Sequence, residues 1–129
     1  MEAGAGTLTR LPGGSLDVAL LVVEPSAKSI DVARRASAII AARQIGLTMV
    51  VANRVRDAAD ADLIRASFPG LEVAVVPEDP SVSQSDREAS SPMDAAPDGP
   101  AVRAVAQLAA RLSRWRAPTH PNDLLPLAQ

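Results

Sequence analysis

The stretch Met49 to Asp57, "MVVANRVRD", decides how this chain is to be folded. Four apolar residues break off at Asn53, and Arg54, Arg56 and Asp57 follow. A run rich in β-branched residues that ends abruptly in polar ones reads as a buried strand, here Leu47 to Ala52, whose carboxyl end delivers polar side chains. The question is what those side chains reach.

Working outward, "VALLVVEP" from Val18 to Pro25 is apolar for six positions without alternation, the pattern of a strand buried on both faces of a parallel sheet. A helix is expected between the two strands. Ser26 or Ser29 caps it, Ile30, Ala33, Ser37 and Ile40 fall at helical spacing, and it ends near Gly46. Beyond Asp57, "DADLIRASF" predicts a short helix stopped by Pro69 and Gly70. "LEVAVVPED", Leu71 to Asp79, predicts the third strand, and a short helix is expected over Val82 to Glu88. A long, mobile, solvated loop rich in Ser, Pro and Asp should then run to Gly99. The last helix, from Ala101 to about Arg114, places Val102, Val105, Leu108, Ala109 and Leu112 on one side.

Strand and helix alternating in this way predict an α/β three-layer domain, a mainly parallel sheet of about three strands with crossover helices. In such sheets ligands bind beyond the carboxyl ends of the strands, where Glu24, Asn53 to Arg56, and Pro77 to Asp79 fall. Residues 1–116 are read as one domain and residues 117–129, with three prolines in "APTHPNDLLPLAQ", as a disordered tail.

Composition narrows the function. Of 129 residues 47% are apolar but only 2% aromatic, so the core must be built from Val, Leu, Ile and Ala, which suits helices laid on a sheet. A charge balance of 13 basic against 15 acidic residues argues against a nucleic-acid domain held by phosphate contacts. No cysteine is present, which excludes a disulfide framework and a thiolate metal site, and His120 cannot build a zinc site alone, so metal binding would need carboxylates or another chain. "MEAGAGTLTR" is not a secretory signal, and no apolar run nears the ~18 residues that span a bilayer, so a cytoplasmic location is expected.

Asn53 admits two readings. Its amide offers a donor and an acceptor, enough to read a purine edge, yet asparagine also serves as a turn residue at strand ends. "VPED" divides in the same way, since Pro77 either shapes a loop against a flat ligand or simply ends its strand.

With these elements in order, "MEAG", "DVALLVVEPSAKS", "NRVRD", "LEV", "VPEDPSV" and "DRE" together resemble the carboxyl-terminal half of a CooC-like ATPase, within the MinD/ParA group of P-loop nucleotide-binding proteins. The resemblance runs from Met1 to about Leu112. It implies a partial P-loop NTPase domain in which Asn53 and Arg54 form the base-recognition element. Pro77, Glu78 and Asp79 would form the loop on the adenine, and Glu2 and Gly4 the remnant of a switch region. It further implies ATP or ADP held by its base end, with Mg²⁺ only if the other half is supplied. The implied partners are a second copy or that missing half, and a metalloenzyme client. The family role is nucleotide-dependent metal-cofactor insertion of the carbon monoxide dehydrogenase maturation type. A MinD/ParA-like positioning or partition ATPase fragment is the neighbouring alternative, and a non-catalytic interaction or dimerisation module is the alternative outside enzymes.

The chain departs from the family at the phosphates. Nothing fits Gly-x-x-x-x-Gly-Lys-Ser/Thr, and the only lysine, Lys28, has no glycine-rich loop before it. The aspartate that precedes the "MEAG" element in the family is not in this sequence. Without a P-loop, Mg²⁺ ligands or that aspartate, the isolated chain is not expected to hydrolyse ATP. Truncation of a longer reading frame and a free-standing half-domain both account for this, and in either case an apolar edge and face should be exposed. The arginines of the last helix, Arg103, Arg111, Arg114 and Arg116, could serve a membrane-binding helix. A helix packed on the sheet is the reading favoured here, and a membrane partner is not expected.

Overall fold

The computed structural model describes residues 18–43 and 45–115. Glu2, Gly4, Arg116 and the 117–129 tail lie outside the described residues. Three strands, β1 (Val18–Val23), β2 (Leu47–Val55) and β3 (Glu72–Pro77), form a parallel sheet in the order β1-β2-β3. Helix α1 (Ala27–Ala41) joins β1 to β2 and α2 (Ala58–Ser67) joins β2 to β3. After β3 come α3 (Pro80–Arg87), the single turn α4 (Pro92–Ala95) and α5 (Pro100–Arg114). The α/β architecture expected from the sequence is therefore present.

Local chemistry sets the boundaries. The Ser26 hydroxyl accepts from the Ser29 amide at 3.2 Å while the Ser29 hydroxyl accepts from the Glu24 amide at 2.9 Å, so two serines fix the turn from β1 into α1. Helix α1 ends at Ala41 rather than near Gly46. The Ala42 and Arg43 amides tighten onto the carbonyls of Ile39 and Ile40, releasing residues to reach β2. Asp57 caps α2 by accepting from the Asp60 amide at 3.0 Å, which starts that helix at Ala58. Gly70, with φ of 84°, makes the left-handed turn into β3.

Alternate residues of β2 point to opposite faces, and the packing divides accordingly. Val50, Ala52 and Val55 join Ile30, Ala33, Ile40, Ala61, Ile64 and Phe68 under α1 and α2. Val51 joins Val76, Ala101, Ala104 and Leu108 under α5 on the other side. Met49 to Ala52 are all buried, so β2 is the strand covered on both faces.

For β1 that expectation is corrected. Ala19, Leu21 and Val23 are buried, but Leu20 is 39% and Val22 60% exposed. Their register partners Met49 and Val51 lie on the α5 face, so α5 covers β2 and β3 and stops short of β1. Among the described residues β1 also has no neighbour on its outer edge. The apolar edge and face expected from the sequence are located here.

Two further expectations change. The segment before Gly99 is not a continuous loop, because Ser91 caps the turn α4 through the Met93 amide at 3.2 Å. The apolar stripe of α5 splits in two. Ala101, Ala104 and Leu108 face the sheet, while Val102, Val105 and Ala109 line a cleft beside it. Arg111 binds Glu72 of β3 with both arms of its guanidinium, at 2.9 and 3.1 Å, and ties the end of α5 to the sheet. No described helix is long and apolar enough to cross a membrane.

Candidate functional site

Beyond the carboxyl ends of β2 and β3 lies a cleft of about 790 Å³, walled by α3, α4 and α5 as far as Ala109. That size is within the roughly 300–1,000 Å³ of small-molecule sites. Asn53, Arg54, Pro77, Glu78 and Asp79, the five candidates within the described residues, all line it.

Asn53 and Arg54 do not follow β2 but belong to it, since the strand runs on to Val55. The register with β3 breaks between Ala52 and Val55, a bulge that inserts one residue on the β2 side and re-aims the side chains there. Arg54 sits there at φ of 59°. The left-handed region costs a residue with a side chain about 1–2 kcal/mol. Part of that cost is offset where Arg54 reaches across the sheet, to Glu24 after β1 at 3.4 Å and to Glu78 after β3 at 3.3 Å. Both pairs are exposed and contribute at most about 1 kcal/mol each. Asn53 is half-buried at the bulge, and its side-chain amide, open to water, makes no hydrogen bond among the described residues.

Asp79 has a different task. Its Oδ1 accepts from the Ser81 amide at 2.9 Å and the Ser81 hydroxyl at 2.6 Å, capping α3. Its Oδ2 accepts from the Ala101 amide at 3.2 Å, near the start of α5. The Ser81 hydroxyl first, then the Ala101 and Ser81 amides, hold this carboxyl below the ordinary carboxylate range. One carboxylate thus caps two helices. Gly99 makes this possible, because a Cβ there would fall 2.8 Å from Asp79 Oδ2.

The remaining polar residues of the opening stretch stay local. Arg56 binds Asp60 through Nε at 3.1 Å, and this bond raises the guanidinium's affinity for its proton and lowers the carboxyl's. Asp57 is spent as a cap. Sequence reasoning did not find the apolar walls, Val82, Met93, Val102 and Val105, nor Asp86 on the rim. Val82 and Asp86 are four residues apart on α3, a spacing that could have flagged a shared face.

No family model matches the chain, and no curated protein matches it. The resemblance to CooC-like ATPases therefore rests on the quoted residues alone.

Proposed function

We propose that the cleft is the base-binding end of a nucleotide site, and that the chain is the second half of a CooC-like ATPase domain. The observation that carries this reading is the unpartnered amide of Asn53, opening into an apolar cleft beyond the ends of parallel strands. A purine edge satisfies both its donor and its acceptor, while Pro77 and the valines of α3 and α5 offer flat apolar contact to the ring faces. The fit is to the base end of ATP or ADP. Its phosphates would be held, with Mg²⁺, by a half that carries a P-loop. Among the described residues no three His, Asp or Glu come together as metal ligands. In this reading metal insertion is the role of the assembled family protein, with a metalloenzyme as client, and a MinD/ParA-like positioning role would use the same cleft.

Titration of the chain with Mg-ATP is expected to give binding in the millimolar range, and Asn53→Ala to weaken it about tenfold through two lost hydrogen bonds. A folded parent that binds neither Mg-ATP nor adenosine, or an Asn53→Ala variant that binds equally well, removes the reading.

A second reading, an interaction module, is favoured by the bare face of β1. Leu20 and Val22 lie exposed on an edge strand, where a further parallel strand and its helix would cover both edge and face. Association through this strand, with a second copy or with the missing half, is expected to weaken about tenfold or more in Val22→Lys, as sedimentation would report. An unchanged sedimentation profile counts against it.

A further inference from the structure

We propose that this cleft prefers an uncharged purine nucleoside to the corresponding nucleotide, a refinement that rests on the base-site reading above. The positive groups around the cleft are already engaged. Among the described residues Arg54 is the cation of the lining, and it is shared between Glu24 and Glu78. A phosphate could recruit it only by displacing two carboxylates that would remain beside the incoming anion.

Helix N-termini are the other common source of phosphate binding. Three helices begin at this cleft: the Met93 amide of the single turn α4 is taken by Ser91, and the first amides of α3 and α5 are both taken by a single residue. The Asp79 carboxylate occupies the Ser81 and Ala101 amides, which places a negative charge where an anion would otherwise be drawn. Pro80 and Pro100, at the first turns of the same helices, have no N–H to offer. Asp86 adds a further exposed carboxylate to the rim.

Once Arg54 is paired, the fixed charge facing a ligand is negative. Val76, Val82, Met93 and Val105 supply the apolar area, and the Asn53 amide the directional contacts. Such a site rewards a flat, neutral ring bearing a donor beside an acceptor, and adding phosphates to that ring adds repulsion without a compensating bond.

The test is calorimetric titration of the full 129-residue chain with adenosine, AMP and Mg²⁺-free ATP at low and at moderate salt. Adenosine is expected to bind at least as tightly as ATP. ATP affinity should rise with salt as repulsion is screened, while adenosine affinity stays level. Asp86→Lys is expected to shift the ratio of ATP to adenosine affinity roughly tenfold toward ATP at low salt. ATP binding that is tighter than adenosine, weakened by salt and lost in Asn53→Ala would overturn the preference and leave the base site standing. Binding of neither ligand by folded chain would overturn the base site and the preference together.

Discussion

Ile64→Ala is expected to lower the unfolding free energy by about 2–5 kcal/mol, a change of about thirtyfold or more in the folding equilibrium. Ile64 is fully buried on α2 and belongs to the cluster formed by β1, β2, α1 and α2. Removing its branched side chain loses the transfer free energy of the missing methyl groups and leaves a cavity. Val50 and Val23, held in the sheet beside it at 0% exposure, cannot move to fill that space. The opposite face supplies the control. Val22 lies on the same sheet, but its side chain is turned to solvent, so Val22→Ala should stay within about 0.5 kcal/mol of the parent where the chain is monomeric. Urea unfolding measures both as a change in midpoint at constant slope. A loss below about 1 kcal/mol for Ile64→Ala would mean that this face is not the packed one.

That contrast marks how far the sequence could be read. Alternation of strand and helix was visible because apolar runs ending in serine, aspartate, proline or glycine are local signals, and the caps at Ser26 and Asp57 and the turn at Gly70 follow from the same chemistry. Coverage is not a local property. "VALLVV" and "MVVA" look alike, yet only the second is buried on both faces, because α5 lies over β2 and β3 and not over β1. The six residues of β1 carry no local signal of where a helix that begins at Pro100 will rest.

The site was legible in the same uneven way. Asn53, Arg54 and Pro77 to Asp79 stand out because they interrupt apolar strands, and the parallel register brings all five to one cleft. Their division of labour was not visible. The bulge that frees Asn53 depends on Arg54 adopting a left-handed backbone, which few residues outside glycine and asparagine announce. The acid of "VPED" that looked poised for a ligand turns inward, because the start of α5, distant in sequence, needs an acceptor. Met93 reaches the cleft through a single helical turn inside a stretch whose composition reads as loop.

Asp79→Ala is expected to lower the melting temperature by roughly 5–10 °C, since the helix caps of both α3 and α5 go with one side chain. Asp79→Asn is the more telling variant. Both carboxylate oxygens accept, Oδ1 from Ser81 and Oδ2 from Ala101. An amide in either orientation therefore turns an NH₂ donor toward an N–H donor and keeps only half of the arrangement. It also removes the charge and with it a pH dependence of known sign. A carboxyl whose pKa is lowered by folding stabilises the folded state fully above its unfolded value of about 3.8, and that stabilisation is lost as pH falls through the folded value. The parent should thus exceed Asp79→Asn in stability at pH 7, and the gap should begin to close as pH falls below about 4 and vanish only below the folded value. Asp60, lowered by Arg56, leaves a residual acid sensitivity of the same sign in both proteins. The consequence for the site is direct. Asp79 holds the first turn of α5, whose Val102 and Val105 form a wall of the cleft, so adenosine binding should weaken in Asp79→Ala even where the chain remains folded. Melts at pH 7 and pH 3, paired with adenosine titration, separate these effects. Equal melting temperatures at pH 7 for parent and Asp79→Asn would mean that α5 is held by its apolar stripe and by Arg111 on Glu72, without the carboxylate at its start.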